Sequence, residues 1–170
     1  MEGSCSMLIR KASSSDIERI LEIFDCAKVQ MRENGNLRQW PEGYPSREIL
    51  EKDIADGNCY VLEDNGRVCG TFAFIIGDDP TYEVIENGRW LNDETYGNIH
   101  RIASDGTRKG IFEECLKFCQ SLIGNIRIDT HEDNRIMQHL LEKHGFLQCG
   151  IIYVADGTPR IAYQKVCRHT

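Results

Sequence analysis

Apolar residues recur at three- and four-residue intervals through Ile17, Ile20, Leu21, Phe24, Ala27 and Met31, then stop at Asn34-Gly35-Asn36. That period predicts an amphipathic helix, with Ser15 and Glu18 at capping-box spacing at its start. A short strand over 8–11 precedes it. Ser46 caps a second predicted helix through Ile49, Leu50 and Ile54 to Gly57. Two strand-like runs, 59–63 and 67–76, flank Asp64-Asn65-Gly66, and Asn-Gly is the strongest short hairpin signal. The segment 77–97 is irregular, with a helical turn expected near 82–87.

Alternation over 98–103 predicts a strand in which Ile99, Arg101 and Ala103 oppose His100 and Ile102. A helix opens at Gly110, with Ile111, Cys115, Phe118, Cys119 and Leu122 on one face, and ends at Gly124. Strand 126–130, helix 134–144 with Ile136, Met137, Leu140 and Leu141 inward, strand 146–154 and strand 161–166 complete the chain. Hairpins mixed with strand-helix-strand units imply an α/β fold of the mixed α+β kind. Its centre is a largely antiparallel twisted sheet of six to seven strands, flanked by about four helices.

The length of 170 residues suits one hydrophobic core. The expected organisation is a flexible leader over 1–6 and a single domain over 7–170. Acidic groups outnumber basic ones by 27 to 20, for a formal charge of −7, which argues against a nucleic-acid or anionic-membrane partner. Apolar runs of about five residues are far short of the roughly 20 that span a bilayer. Eight cysteines lie in apolar periodic stretches without a paired ligand motif. They read as packing thiols in a reducing, cytoplasmic setting, with no metal site.

Chemistry concentrates in the loop 104–112, between a strand and a helix N-terminus. Its small residues Ser104, Gly106 and Gly110 let backbone amides face an anion, and Arg108 and Lys109 add positive charge. The same pattern is also that of an ordinary connecting loop. His100 is a candidate base near neutral pH, or a half-buried histidine bonded to a neighbour. Arg127, Asp129 and His131 alternate on one strand and suit either substrate binding or an internal ion pair with a helix cap at His131. Gln39 and Trp40 wall a ligand pocket or cover the core. Cys149 lacks a paired base and reads as a core thiol.

The run Thr107-Arg108-Lys109-Gly110-Ile111-Phe112 resembles the Gln/Arg-x-x-Gly-x-Gly/Ala loop of the Gcn5-related N-acetyltransferase (GNAT) family, keeping its middle glycine. The run 134–146, opened by Asn134 and closed by Gly145-Phe146, resembles the family's second signature, and element order matches over 7–166. Thr107 and Phe112 depart from the loop pattern. Leu141 stands where the family often has a tyrosine that protonates the departing thiolate.

The resemblance implies a splay between strands 98–103 and 126–130 that holds acetyl-coenzyme A, the cosubstrate. Main-chain groups of Ile102 and Ser104 would bind its pantetheine arm, and Thr107, Arg108, Lys109, Gly110, Ile111 and Phe112, with Asn134, the rest of the cofactor. It further implies His100 as the base, with Tyr96 on the same strand parity as a second catalytic candidate. Gln39, Trp40, Asp129 and His131 would bind an amine of a small molecule or peptide. Direct attack in a ternary complex would make the chain an N-acetyltransferase; the alternative is a non-catalytic acyl-coenzyme A binding or regulatory module. The 77–97 segment would cover the acceptor or form a homodimer contact.

Overall fold

The computed structural model describes residues 7–167. The leader expected over 1–6 lies outside the described residues. The elements are β1 (Leu8–Lys11), α1 (Ile17–Glu33), α2 (Arg47–Ala55), β2 (Cys59–Asp64), β3 (Arg67–Ile76), β4 (Gly97–Ser104), α3 (Ile111–Leu122), β5 (Asn125–Thr130), α4 (Arg135–Lys143), β6 (Leu147–Tyr153) and β7 (Pro159–Val166). Among the described residues the strands form one sheet in the order β1-β2-β3-β4-β5-β7-β6. Every pairing is antiparallel except β4 with β5. The mixed architecture and its strand count therefore agree with the sequence pattern.

The start of α1 differs from expectation. Arg10 holds Asp16 through two bonds of 2.8 and 2.9 Å, and the Ser13 amide donates to the same carboxylate at 2.8 Å. A turn of 3-10 helix over Ser14–Asp16 thus precedes α1. The reciprocal cap involves Ser13 and Asp16 rather than Ser15 and Glu18, because the arginine fixes the aspartate.

Two apolar layers cover the sheet. On one face α1 and α2 bury Ile20, Ile23, Phe24 and Leu50 against Val61, Val68 and Ala103. On the other, Ile111, Phe112, Cys115 and Cys119 of α3 and Leu141 of α4 pack on Phe72, Ile99, Ile126 and Ile128. Leu122 and Ile136, expected inward, are about half exposed. They sit at the end of one helix and the start of another, where the apolar stripe has turned off the sheet.

A third cluster belongs to the 77–97 segment. Tyr82, Tyr96, Ile85 and Trp90 pack on Ile152 and Ala162, and the helical turn falls at Pro80–Tyr82, earlier than expected. Asp79 places it by accepting from the Thr81 amide at 2.9 Å. Glu86 and Ile151 exchange two backbone bonds of 2.8 Å. This segment is therefore tied to β6.

That attachment requires close backbone approach at Gly88, where a Cβ would stand 1.9 Å from the Cys149 carbonyl oxygen. Gly88→Ala is expected to cost about 1–3 kcal/mol of stability, as overpacking usually does, and to open the segment to trypsin at Arg89. Urea unfolding with limited proteolysis measures both. Wild-type stability and resistance would contradict the close approach.

Candidate functional site

The site is built on an irregularity in β4. Ala73 faces His100 and Thr71 faces Ala103, so the register slips between them. Arg101 takes up the slip with φ +51°, a left-handed value uncommon for a side-chain-bearing residue. The bulge reverses strand parity. Ile99 and Ala103, expected on one face, join opposite clusters, while His100 and Arg101, expected on opposite sides, line the same cavity. Arg101 forms an ion pair, with two bonds of 2.8 Å to Asp53 of α2.

β4 and β5 pair only at Gly97 with Ile126 and Asn98 with Arg127. Beyond these pairs the strands part, leaving the β5-facing edge of β4 without a strand partner. A cavity of about 490 Å³ opens into the fork, lined by Ile99 to Ile102, by Ile128 to Thr130, and by Asn134 and Met137. Gln39, Trp40 and Tyr44 form another wall. A smaller cavity of about 150 Å³ continues along β4 past Ile102 and Ser104 to Asn134.

His100 Nε2 lies 2.9 Å from Asp79 Oδ2. Burial pushes the Asp79 carboxyl up, but bonds from His100 and from the Thr81 hydroxyl and amide outweigh it and hold the group down at about 2. Asp79 thus remains a carboxylate beside the imidazole. Tyr96 occupies a different place from that expected of a catalytic group. It is buried, its hydroxyl accepts from the Asp79 amide at 2.7 Å, and its ring faces the Arg127 guanidinium at 4.0 Å. It supports the backbone that carries Asp79.

Asp129 lines the cavity and accepts a 2.7 Å bond from the Tyr82 hydroxyl. Burial first, and the neighbouring carboxylate second, keep that phenol protonated. The expected Arg127–Asp129 ion pair does not form. Arg127 instead lies between the Trp90 and Tyr96 rings and donates to the Asn92 carbonyl at 2.7 Å. His131 is buried away from the main cavity's lining, and its Nδ1 accepts from the Asp133 amide at 2.9 Å. Burial, helped by the field of Arg160, lowers its basicity. The imidazole thus holds the turn before α4, while the helix cap considered for His131 is made by Asn134.

Gln39 is placed by α4: its Oε1 accepts from the Asn36 and Asn134 side chains, each at 2.9 Å. Asn134 also caps α4, accepting from the Met137 amide at 3.0 Å. Trp40 meets Phe24 and Tyr44 edge-on, so its ring both closes the core and walls the cavity.

At the other end of β4, Asp105 draws in both the amide and the hydroxyl of Thr107, at 2.9 and 2.6 Å, and pairs with Arg19 at 2.5 Å. Thr107 is exposed, but its amide and hydroxyl are both committed to Asp105. Arg108 bonds Asp64 at 2.7 Å, while Lys109 is exposed. Gly110, at φ +82°, caps α3 without a side chain. The first intrahelical bond there is Glu114 to Gly110, so the amides of Ile111 to Glu113 have no partner within the helix. Phe112, bulky where the resembled loop is small, turns into the core. The unpaired β4 edge and the uncapped α3 terminus fit an extended pantetheine arm and a diphosphate. Ile102, Ser104 and residues 108–112 are the groups that would hold them.

Sequence reasoning missed Asp79, Thr81, Asp156 and Arg160. Asp79 had a local signal, Asp-Pro-Thr at a turn, but its partner lies 21 positions away. Arg160 had none, since its neighbours on the cavity wall come from distant loops. Among the described residues there is no group of three or more His, Cys, Asp or Glu able to hold a metal, and no helix is long and apolar enough to cross a membrane. The seven described cysteines are unpaired, and Cys5 lies outside the described residues. Cys149 is buried, which raises its thiol pKa, and it donates to the Leu147 carbonyl.

The sequence profile of the Acetyltransferase (GNAT) family matches residues 17–146. No curated protein matches the chain. Among solved structures, a GNAT-family acetyltransferase from Streptococcus agalactiae is 32% identical, with 96% of each chain covered and a TM-score of 0.87. One from Listeria monocytogenes is 21% identical over 95% of each chain, with a TM-score of 0.71. The ribosomal-protein-S18-alanine N-acetyltransferase of Escherichia coli shares the fold at 14% identity, with 96% of each chain covered and a TM-score of 0.63.

The Asp79 carboxyl carries a pH prediction. Its folded-state pKa of about 2 lies below the ordinary 3.8, so its contribution to stability is present above about pH 4 and is lost as pH falls through 2. Urea midpoints of wild type and Asp79→Asn, measured from pH 7 down to 2.5, should differ in favour of wild type above pH 4.5 and converge below it. A gap that stays constant with pH would contradict the assignment.

Proposed function

Because the chain belongs to the GNAT acetyltransferase family, we propose that it moves an acetyl group from acetyl-coenzyme A to the amine of a small molecule or peptide. Transfer is by direct attack within a ternary complex. The observation that carries this reading is the His100–Asp79 pair at the mouth of the β4–β5 fork. An amine is nearly all ammonium at pH 7 and must lose a proton before it can attack. His100 is the group on the cavity wall suited to accept it. Asp79, half-buried and ionised, orients the imidazole and stabilises its protonated form.

The amine lone pair then adds to the thioester carbonyl, the carbon–sulfur bond breaks, and the thiolate departs. Leu141 is wholly buried and supplies no proton, so the thiolate takes one from water or from the imidazolium. Asp129, Gln39 and Trp40 bound the acceptor's side of the cavity. Ile102, Ser104 and residues 108–112, with Asn134, bound the donor's side. The unpaired described cysteines support a cytoplasmic setting. No resident metal is needed for this route.

A second reading, a non-catalytic acyl-coenzyme A module, is favoured by Leu141 and by the commitment of Thr107 to Asp105. Continuous thiol-release measurements over a panel of amines separate the two. The transferase reading expects turnover in wild type and a kcat lower by about 10² to 10⁴ in His100→Gln, with acetyl-coenzyme A affinity unchanged by calorimetry. Tight cofactor binding without thiol release for any acceptor would favour the binding module.

A further inference from the structure

Besides the Tyr44 phenol, six ionisable side chains line the main cavity: Asp79, His100, Arg101, Asp129, Asp156 and Arg160. Asp79 is hydrogen-bonded to His100, and Arg101 is paired with Asp53. Asp156 is exposed and accepts from the amide and hydroxyl of Thr158. Asp129 and Arg160 remain. Among the described residues neither has an opposite charge within ion-pair distance, although each is partly or wholly removed from water.

Arg160 is 7% exposed. Its guanidinium donates to the Thr158 hydroxyl at 3.1 Å, the Pro159 carbonyl at 2.8 Å and, at 3.4 Å, the Gln39 carbonyl. These acceptors are neutral, and three bonds do not exhaust five N–H donors. His131, whose basicity Arg160 helps depress, offers no negative charge. The nearest carboxylate, exposed Asp156, reaches Arg160 only through the shared Thr158 hydroxyl, although Arg160 helps hold its carboxyl down. A buried guanidinium with no carboxylate in direct contact is costly to maintain in packing alone.

Strand register places the two charges together. Asp129 of β5 lies opposite Ala162 of β7, and Arg160 is two positions along β7 on the same face. Diagonal neighbours of this kind are about 7–8 Å apart. A long side chain can span that distance, yet the two charges form no ion pair here, and one small molecule could bridge them. Asp129 is bonded to Tyr82 and Arg160 to the loop carrying Gln39, which keeps the two side chains apart.

We infer that the acceptor is a small zwitterion, a free amino acid, whose carboxylate pairs with Arg160 while its amino group lies between Asp129 and His100. The inference rests on the transferase reading for what happens to that amino group, and on the charge arrangement alone for binding. Arg160 selects the carboxylate through its planar fork of donors. Asp129 attracts the ammonium, and His100 takes the proton released when it becomes nucleophilic. Polyamines satisfy Asp129 and leave Arg160 unmatched. Polypeptide N-termini do the same, since their carboxyl is an amide.

The test uses matched sets of ligands: several free amino acids, their methyl esters and their decarboxylated amines. Calorimetry measures binding to the wild-type protein, and thiol release measures turnover. Loss of a charge-assisted contact predicts that the free acids bind about 10-fold to 100-fold tighter than the esters and amines. kcat/KM should show the same preference. Arg160→Gln should reduce binding of the acids about 10-fold more than binding of the amines, and Arg160→Lys should restore part of the preference. If Arg160→Gln fails to fold by thermal unfolding, the ester comparison on wild type decides alone. Equal or better binding of esters or amines overturns the inference, as does an equal effect of Arg160→Gln on all three ligand types. Preferential binding of acids without thiol release upholds the inference and defeats the transferase reading. Turnover of amines without preference for acids does the reverse.

Discussion

Two strands that pair over only two residues on each set the conditions for everything else at the site. A parallel pair zipped along its full length would satisfy both edges and close the fork. Here the junction is held tightly at its base and released beyond it. Gly97 makes the base possible: a Cβ there would stand 2.3 Å from the Phe74 ring, so a larger residue would push β4 away from β3 at the point where pairing with β5 begins. Asn98, next along, donates to the Ile75 carbonyl at 3.1 Å and fixes the last paired position to the neighbouring strand. Past it, the bulge at Arg101 turns two consecutive side chains to one face, and the free edge of β4 is left for a ligand to complete.

The 77–97 segment is the second half of the construction. It covers the side of β5 and β7 on which Arg127 and Asp129 sit, through a polar web rather than apolar packing alone. Asn92 is its hub. Its side-chain oxygen accepts from Asn125 at 3.0 Å and from Gln164 at 3.2 Å, and its carbonyl accepts from Arg127. Gln164 also donates to Asn125 at 2.7 Å and accepts from the Leu91 amide at 2.8 Å. Such networks specify one arrangement because each broken bond strands a buried partner. The consequence reaches the chemistry, since the same segment supplies Asp79 for His100 and Tyr82 for Asp129.

Elements that act locally were legible from residues alone. The Asn65-Gly66 hairpin and the Ser46 cap of α2 fall where spacing placed them, because turn chemistry and periodicity depend on a few adjacent residues. Parity on β4 failed at one residue. A single left-handed φ at Arg101 has no signature in an alternating pattern, and it reverses every inference about which side the following residues face. Tyr96, ahead of the bulge, fails for another reason: shared parity with His100 suggested shared chemistry, yet its hydroxyl is occupied by the Asp79 amide from the 77–97 segment. Arg160 and Asp129 show the opposite limit. Their relation exists only through the register of β5 on β7, and that register is set by the packed sheet, not by either segment.

Net charge also has a local meaning that the total of −7 conceals. Around the loop before α3, Arg108 is paired with Asp64, and Arg19 with Asp105, while Glu113 and Glu114 stand in the first turn of the helix. Side-chain charge there is close to balanced, so attraction for a diphosphate falls mainly to main-chain amides and the helix terminus, whose direction is fixed by the fold. Around the acceptor's side of the cavity the reverse holds, and discrete opposite charges are kept apart. Dipoles suit the end where the ligand is long and always the same. Separated charges suit the end where one molecule must be distinguished from its near relatives, because a missing partner leaves a charge buried and unmatched. The two ends of one cleft therefore differ in their electrostatics, and under the proposed function each is matched to the ligand it would recognise.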